Sequence, residues 1–157
     1  MRNPHRESEA GRLTFPQVIA ALTGAGVESY FADLARAVDT FYLPTGETHA
    51  EKMTPPVTKI AEDFSQTGIV AAVRAARADE IRYPEFLKRA MADGIIAYWV
   101  FIAGRKVIHF GCKGEFHIEE FPRPKSYRLS RYRQQSRTAS AQERTAKIKS
   151  VSGQVTT

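Results

Sequence analysis

The chain has a single cysteine, Cys112, among 157 residues, so no intrachain disulfide braces it and no cysteine-pair zinc site can be built. The fold must stand on its hydrophobic core, and Cys112 reads as a small packing residue rather than a nucleophile. No stretch approaches the ~18 uninterrupted apolar residues of a membrane span. The opening MRNPHRESEAGR lacks the apolar core of a signal peptide. No membrane span is therefore expected, with a cytoplasmic location as the default. A Gly-rich phosphate loop, a Ser elbow, a His-Glu-x-x-His pair and a paired-Cys motif are also missing. The common nucleotide-binding, hydrolase and zinc signatures are absent with them.

What is present suits one soluble domain: 43% hydrophobic and 10% aromatic residues, with a formal net charge of +6. The charge is uneven. Residues 125–157 hold eight Lys/Arg and one acid, +7, whereas residues 1–124 carry 15 basic and 16 acidic side chains, −1. That last stretch lacks a sustained helical or alternating apolar period, so it cannot bury enough surface to offset its ordering entropy. A disordered basic tail over 125–157 is expected, with residues 1–12 as a short polar lead and residues 13–124 as the folded domain.

Within that domain an ungapped repeat at an offset of 68 lays residues 14–53 over residues 82–121. Eight of the forty positions are identical: Pro16/Pro84, Gly26/Gly94, Tyr30/Tyr98, Ala35/Ala103, Gly46/Gly114, Glu47/Glu115, His49/His117 and Glu51/Glu119. Each copy reads in one order. An aromatic-proline pair (Phe15-Pro16, Tyr83-Pro84) opens a helix, and Gly26 or Gly94 ends it. A strand follows, the second copy's Ile95 to Ile102 being an apolar run that reads as buried on both faces. Turns lead to a second strand, and Thr45-Gly46 and Lys113-Gly114 lead to a third. Thr54-Pro55-Pro56 breaks the chain between copies, and Ser65 caps a helix to about Ala78 with Ile69, Val73 and Ala76 on one face. Arg74 and Arg77 are expected to point to solvent. The fold class is α+β: internally duplicated α-β-β-β units with an antiparallel sheet and a connecting helix, packed about an approximate twofold because neither unit could cover its sheet alone.

The segments GVESYFADLARAVDTFYLPTGETH and YPEFLKRAMADGIIAYWVFIAGRKVIHFGCKGEFHIEEFP resemble a bacterial and phage-associated family of unknown function, whose members are commonly labelled phage envelope protein. The resemblance covers roughly residues 13–122 and implies no catalytic residue and no required cofactor.

The constellation that could carry chemistry is Glu-x-His-x-Glu, present as Glu47, His49, Glu51 and as Glu115, His117, Glu119. On a strand the three polar groups of a copy share one face, and imidazole with carboxylates suits a divalent zinc, manganese or iron ion. In the second copy the alternate positions hold Phe116 and Ile118, which places the polar face away from the local core. A solvated strand face is the expectation, and His49 and His117 are not expected to share an ion. Tyr98, Trp99, Phe101 and Phe110 read as core rather than as a base-stacking platform. In the tail, Arg128, Arg131 and Arg133 beside Tyr127 and Tyr132 could meet phosphates and stack on nucleic-acid bases. Three classes follow: a binding or interaction module for a small ligand or protein partner, which the repeat favours; a metal-dependent enzyme; and a nucleic-acid-associated protein.

Overall fold

The structure, a computed structural model, describes residues 4–54, 56–121, 146 and 148. Two helices, α1 (Pro4–Glu9) and α2 (Phe15–Gly24), precede strands β1 (Ser29–Asp33), β2 (Val38–Tyr42) and β3 (Thr48–Lys52). Helices α3 (Gln66–Arg77) and α4 (Tyr83–Ala92) precede β4 (Ile95–Phe101), β5 (Lys106–Gly111) and β6 (Phe116–Glu120). The residues at the helix starts explain the boundaries. Thr14 caps α2 with a reciprocal box, its hydroxyl accepting from Gln17 N while its own N–H donates to Gln17 Oε1 at 2.9 Å. Ser65 Oγ accepts from Gly68 N at 3.0 Å and starts α3. The N-terminal stretch read as a polar lead thus contains a helix, which packs on α2 and α4.

The strands form one antiparallel sheet in the order β3-β2-β1-β4-β5-β6. Its registers share the offset of 68. Tyr30 lies opposite Phe41 as Tyr98 lies opposite His109, and Phe41 opposite His49 as His109 opposite His117. At the centre Phe31 pairs with Trp99, its own counterpart at that offset. Left-handed backbone recurs at the same spacing, at Ala37 (φ 55) and Arg105 (φ 57), and at Gly11 (φ 73) and Asp79 (φ 58). The last pair lies outside the expected repeat of 14–53 and 82–121. In chain order α1 and α3 each precede one helix and three strands. The helical face of α3 is also shifted: Ile69, Ala72 and Ala75 are buried, whereas Val73 and Ala76 are half-buried.

Helices α1 to α4 each contribute to one side of the sheet, where Tyr30, Ala32, Phe41, Tyr98, Val100 and Val107 are buried. This overturns the reading of β4 as buried on both faces. Trp99 and Phe101 are half-buried on the opposite face, Trp99 ringed by Phe31 (5.4 Å), Tyr42 (5.5 Å) and Phe101 (5.2 Å). Phe110 sits on that face too, so of the four aromatics expected in the core only Tyr98 is there. An apolar run cannot reveal which of its two alternating sides a helix will cover.

Most of residues 125–157 lies outside the described residues. Ala146 and Ile148 are helical, and Ile148 is 1% exposed within the core cluster. At this residue the expectation of a segment without core contacts is not met, because an isolated apolar side chain needs no period of its own when the domain supplies the surface. Ile148→Ala should therefore cost about 2–4 kcal/mol in urea unfolding; an unchanged midpoint would show that the side chain adds nothing to the core.

Candidate functional site: an interior cavity with a tyrosine–histidine wall

Between the helices and the covered sheet face lies a cavity of about 100 Å³. Its wall is mostly apolar, with Leu13, Phe15, Val18, Val73, Phe86 and Val100 among its members, and three tyrosines, Tyr30, Tyr83 and Tyr98, converge on it. Strand alternation places them: Tyr30 and Tyr98 point inward from the central pair β1 and β4, while Tyr83 enters from the first turn of α4. Tyr83 Oη and Tyr98 Oη are 2.9 Å apart. Burial raises all three phenols well above their usual range, with the nearby Asp39 charge acting in the same direction. They are neutral hydroxyls at physiological pH.

Asp39 on β2 and His109 on β5 are polar sheet residues of this wall, fully buried at 3% and 2% exposure. His109 packs against Tyr98 (5.9 Å between ring centroids), Phe86 (6.5 Å) and His117 (6.3 Å). Burial pushes its imidazole down to about 4; proximity to His117 adds to this and the His117 backbone opposes it. The ring is therefore neutral at pH 7. Its Nδ1 makes no hydrogen bond of acceptable geometry although the atom is fully buried. A buried polar atom left without a partner costs about 1–3 kcal/mol, so its retention requires an explanation.

The Glu-x-His-x-Glu residues occupy different places. His49 and Glu51 lie on β3 and His117 and Glu119 on β6, the two edges of the sheet. Five strand spacings of ~4.8 Å separate those edges by roughly 24 Å, so His49 and His117 cannot bind a common ion. Within each copy, His49 Nε2 is 3.5 Å from Glu51 Oε2 and His117 Nε2 is 3.3 Å from Glu119 Oε2. Glu47 and Glu115 sit in the turns before the strands, accepting from Thr45 Oγ1 and Lys113 N, each at 3.0 Å. Among the described residues no three His, Cys, Asp or Glu side chains are grouped to hold a metal.

The orientation expected for β6 is reversed. His117 and Glu119 are half-buried on the helix-covered side, and Phe116 and Ile118 are the exposed pair at 60% and 45%. The cause is α3: Arg77, expected in solvent, donates to Glu120 O at 2.6 Å and pairs with Glu119 Oε1 at 2.7 Å, holding the polar side of β6 beneath the helix. Glu119 thereby reaches the cavity wall. Tyr127, Arg128, Arg131, Tyr132 and Arg133 lie outside the described residues.

Asp39, Tyr83 and His109 do not stand out as site residues in the sequence, and Tyr30 and Tyr98 stand out only as repeat positions. A usable signal exists for His109, which aligns at the offset of 68 with Phe41 and breaks an otherwise apolar position. A profile of the family described as Protein of unknown function (DUF1398) matches residues 3–120. The chain belongs to this family. The DUF1398 match runs from the start of α1 to the end of β6, taking in the six-stranded sheet and every described cavity residue up to Glu119. No curated protein matches the chain.

Proposed function

We propose that this DUF1398 protein is a binding module for a small, predominantly apolar molecule, held in the cavity between the helices and the sheet. The observation that carries the reading is the cavity wall itself: apolar side chains on which Tyr30, Tyr83 and Tyr98 converge, with Asp39 and His109 among the lining residues. Concave, mostly apolar sites with a few placed polar groups are the usual form of small-molecule sites. Enclosure by α2, α3 and α4 favours a small ligand over a protein partner. The matching registers and element order support descent of the two halves from one duplicated unit. In that history Phe41 and His109 diverged at one register position and Asp39 and Val107 at another, giving a symmetric frame an asymmetric polar wall. A cytoplasmic setting accords with the free Cys112 thiol. The phage-associated label of the resembling family adds no chemistry to this reading.

Filling the cavity should abolish uptake. At about ten times its dissociation constant, toluene should raise the melting temperature of the unaltered chain by about 3–6 °C through selective binding to the folded state. Val73→Phe, which projects a ring from α3 into the space, should remove that rise. An equal rise in both proteins would place the toluene elsewhere.

A further inference from the structure

We propose that the face of the sheet turned away from the helices is a dimer interface, on which a second copy of the chain packs its own sheet about a twofold axis parallel to the strands between β1 and β4. This goes beyond the cavity reading and does not depend on it.

Strand alternation turns Phe31, Trp99, Phe101 and Phe110 to this side, together with Phe116 and Ile118, which are 60% and 45% exposed. Contiguous apolar surface of this kind marks a contact site when it exceeds a few hundred Å². Here six strands ~4.8 Å apart, each about five residues long at ~3.3 Å per residue, present roughly 29 Å by 17 Å, about 480 Å² in projection. Standing side chains and the loops at the strand ends add accessible surface to that projection, which brings the face toward the ~800 Å² that each partner of a stable dimer buries. A flat face of this extent suits a second sheet, laid ~10 Å away with its strands within about 30°, better than a small molecule, which needs a concave site.

Charge and chain path narrow the occupant. The charged side chains of the face balance, Asp33 and Glu120 against Lys52 and Lys106, with Lys106 Nζ 4.0 Å from Glu120 Oε1. A phosphate backbone would find no excess of cations there. The chain's own basic residues 125–157, at +7, would find no excess of acid. Ile148 of that segment joins the core on the other side of the sheet.

Shape favours a copy of the same face. At the offset of 68 the larger side chains fall in the second half: Ile108 stands where the first half has Thr40, Phe116 where it has Thr48, and Ile118 where it has Ala50. A twofold parallel to the strands between β1 and β4 lays each half on the opposite half of the other copy. By register, Ile118 then meets the partner's Ala50, Phe110 the partner's Val38 and Trp99 the partner's Phe31. Bulky positions meet smaller ones, the self-complementary contact that a twofold interface requires.

Sedimentation equilibrium of the full-length chain should give twice the chain mass at micromolar concentration. Phe116→Asp and Ile118→Asp each put a carboxylate into the contact twice per dimer, and each should weaken association at least about a hundredfold. Circular dichroism of both variants should match the unaltered chain, because these side chains are exposed in a single copy. Val57→Asp, at a fully exposed side chain between β3 and α3, should leave the dimer intact. A dimer that both folded Asp variants retain overturns the proposal. Should they not fold, isotope-filtered nuclear Overhauser spectra of a dimer mixed from labelled and unlabelled full-length chains decide. Ile118 and Ala50 lie on opposite edges of the sheet, roughly 24 Å apart within one copy. A contact between their methyl groups can therefore arise only between copies, and its absence overturns the arrangement. A monomeric full-length chain also overturns the proposal, and contacts from its Trp99 indole to Tyr127, Leu129 or Tyr132 would give the face to the chain's own C-terminal segment instead.

Discussion

Acidification from pH 7 to pH 4 should destabilise the protein by about 3 kcal/mol more than it destabilises the His109→Phe variant. The sign follows from where the proton binds. His109 has its folded-state value lowered from 6.5 to about 4 by burial, so between those values the unfolded chain takes up a proton that the folded chain refuses. Stability from this group is complete above about 6.5 and is lost as pH falls toward 4. Each tenfold loss of proton affinity is worth about 1.4 kcal/mol, so the lowering corresponds to about 3 kcal/mol. The rings of Phe86, Tyr98 and His117 pack against the imidazole and the His117 backbone hydrogen-bonds to it; none of these is a carboxylate able to hold a charged imidazole in place. Other acids titrate in the same range, so the quantity of interest is the difference between the two urea-unfolding profiles. Parallel profiles would mean that His109 already carries its proton when folded, or is not buried.

Gly94→Ala should be the more damaging of two formally equivalent substitutions, costing about 3–5 kcal/mol against about 1–2 for Gly26→Ala. Both glycines follow a helix with left-handed backbone, at φ 79 and φ 82, where any side chain is strained. The difference lies in what a Cβ would meet. At Gly26 there is open space, whereas at Gly94 the added carbon would overlap the carbonyl of Asp63 and come within 3.0 Å of Phe64 N. That segment is fixed to the end of α4 by Ser65 N donating to Asp93 O at 2.8 Å and Ala61 N donating to Met91 O at 2.9 Å, so backbone must move, which adds overpacking to strain. Thermal or urea unfolding of the two variants checks this. Equal losses would show that the 61–65 segment does not lie against Gly94.

These two sites also show how far sequence carries the fold. Helices α2, α3 and α4, the six strands and the glycine turns were legible because proline, glycine, capping residues and period-two alternation each constrain backbone directly, whereas α1 was not. Of the identities at the offset of 68, Tyr30 and Tyr98 are both buried and Gly46 and Gly114 both carry left-handed backbone. Sidedness was not legible. In β4 both alternating sets are apolar, so only the position of the helices decides that Tyr98 and Val100 are covered while Trp99 and Phe101 are not. In β6 the polar set lies inward where Arg77, on a helix some forty residues earlier, pairs with the Glu119 carboxylate and donates to the Glu120 backbone carbonyl. A local pattern holds no information about that partner. The candidate site suffered most, since Tyr83, Asp39 and His109 come from three elements that meet only after the sheet has formed. The Glu-x-His-x-Glu segments are clustered in sequence, yet the sheet order carries the two copies to opposite edges.

The central claim is that the covered cavity, rather than the aromatic face of the sheet, receives the ligand. Isotope-filtered nuclear Overhauser contacts between unlabelled toluene and the labelled full-length chain test it most directly. Contacts from toluene to Tyr30, Tyr98 and Val100, all on the cavity wall, are the predicted result. Contacts confined to Trp99, Phe101, Phe116 and Ile118 would place the binding surface on the opposite face and contradict the account.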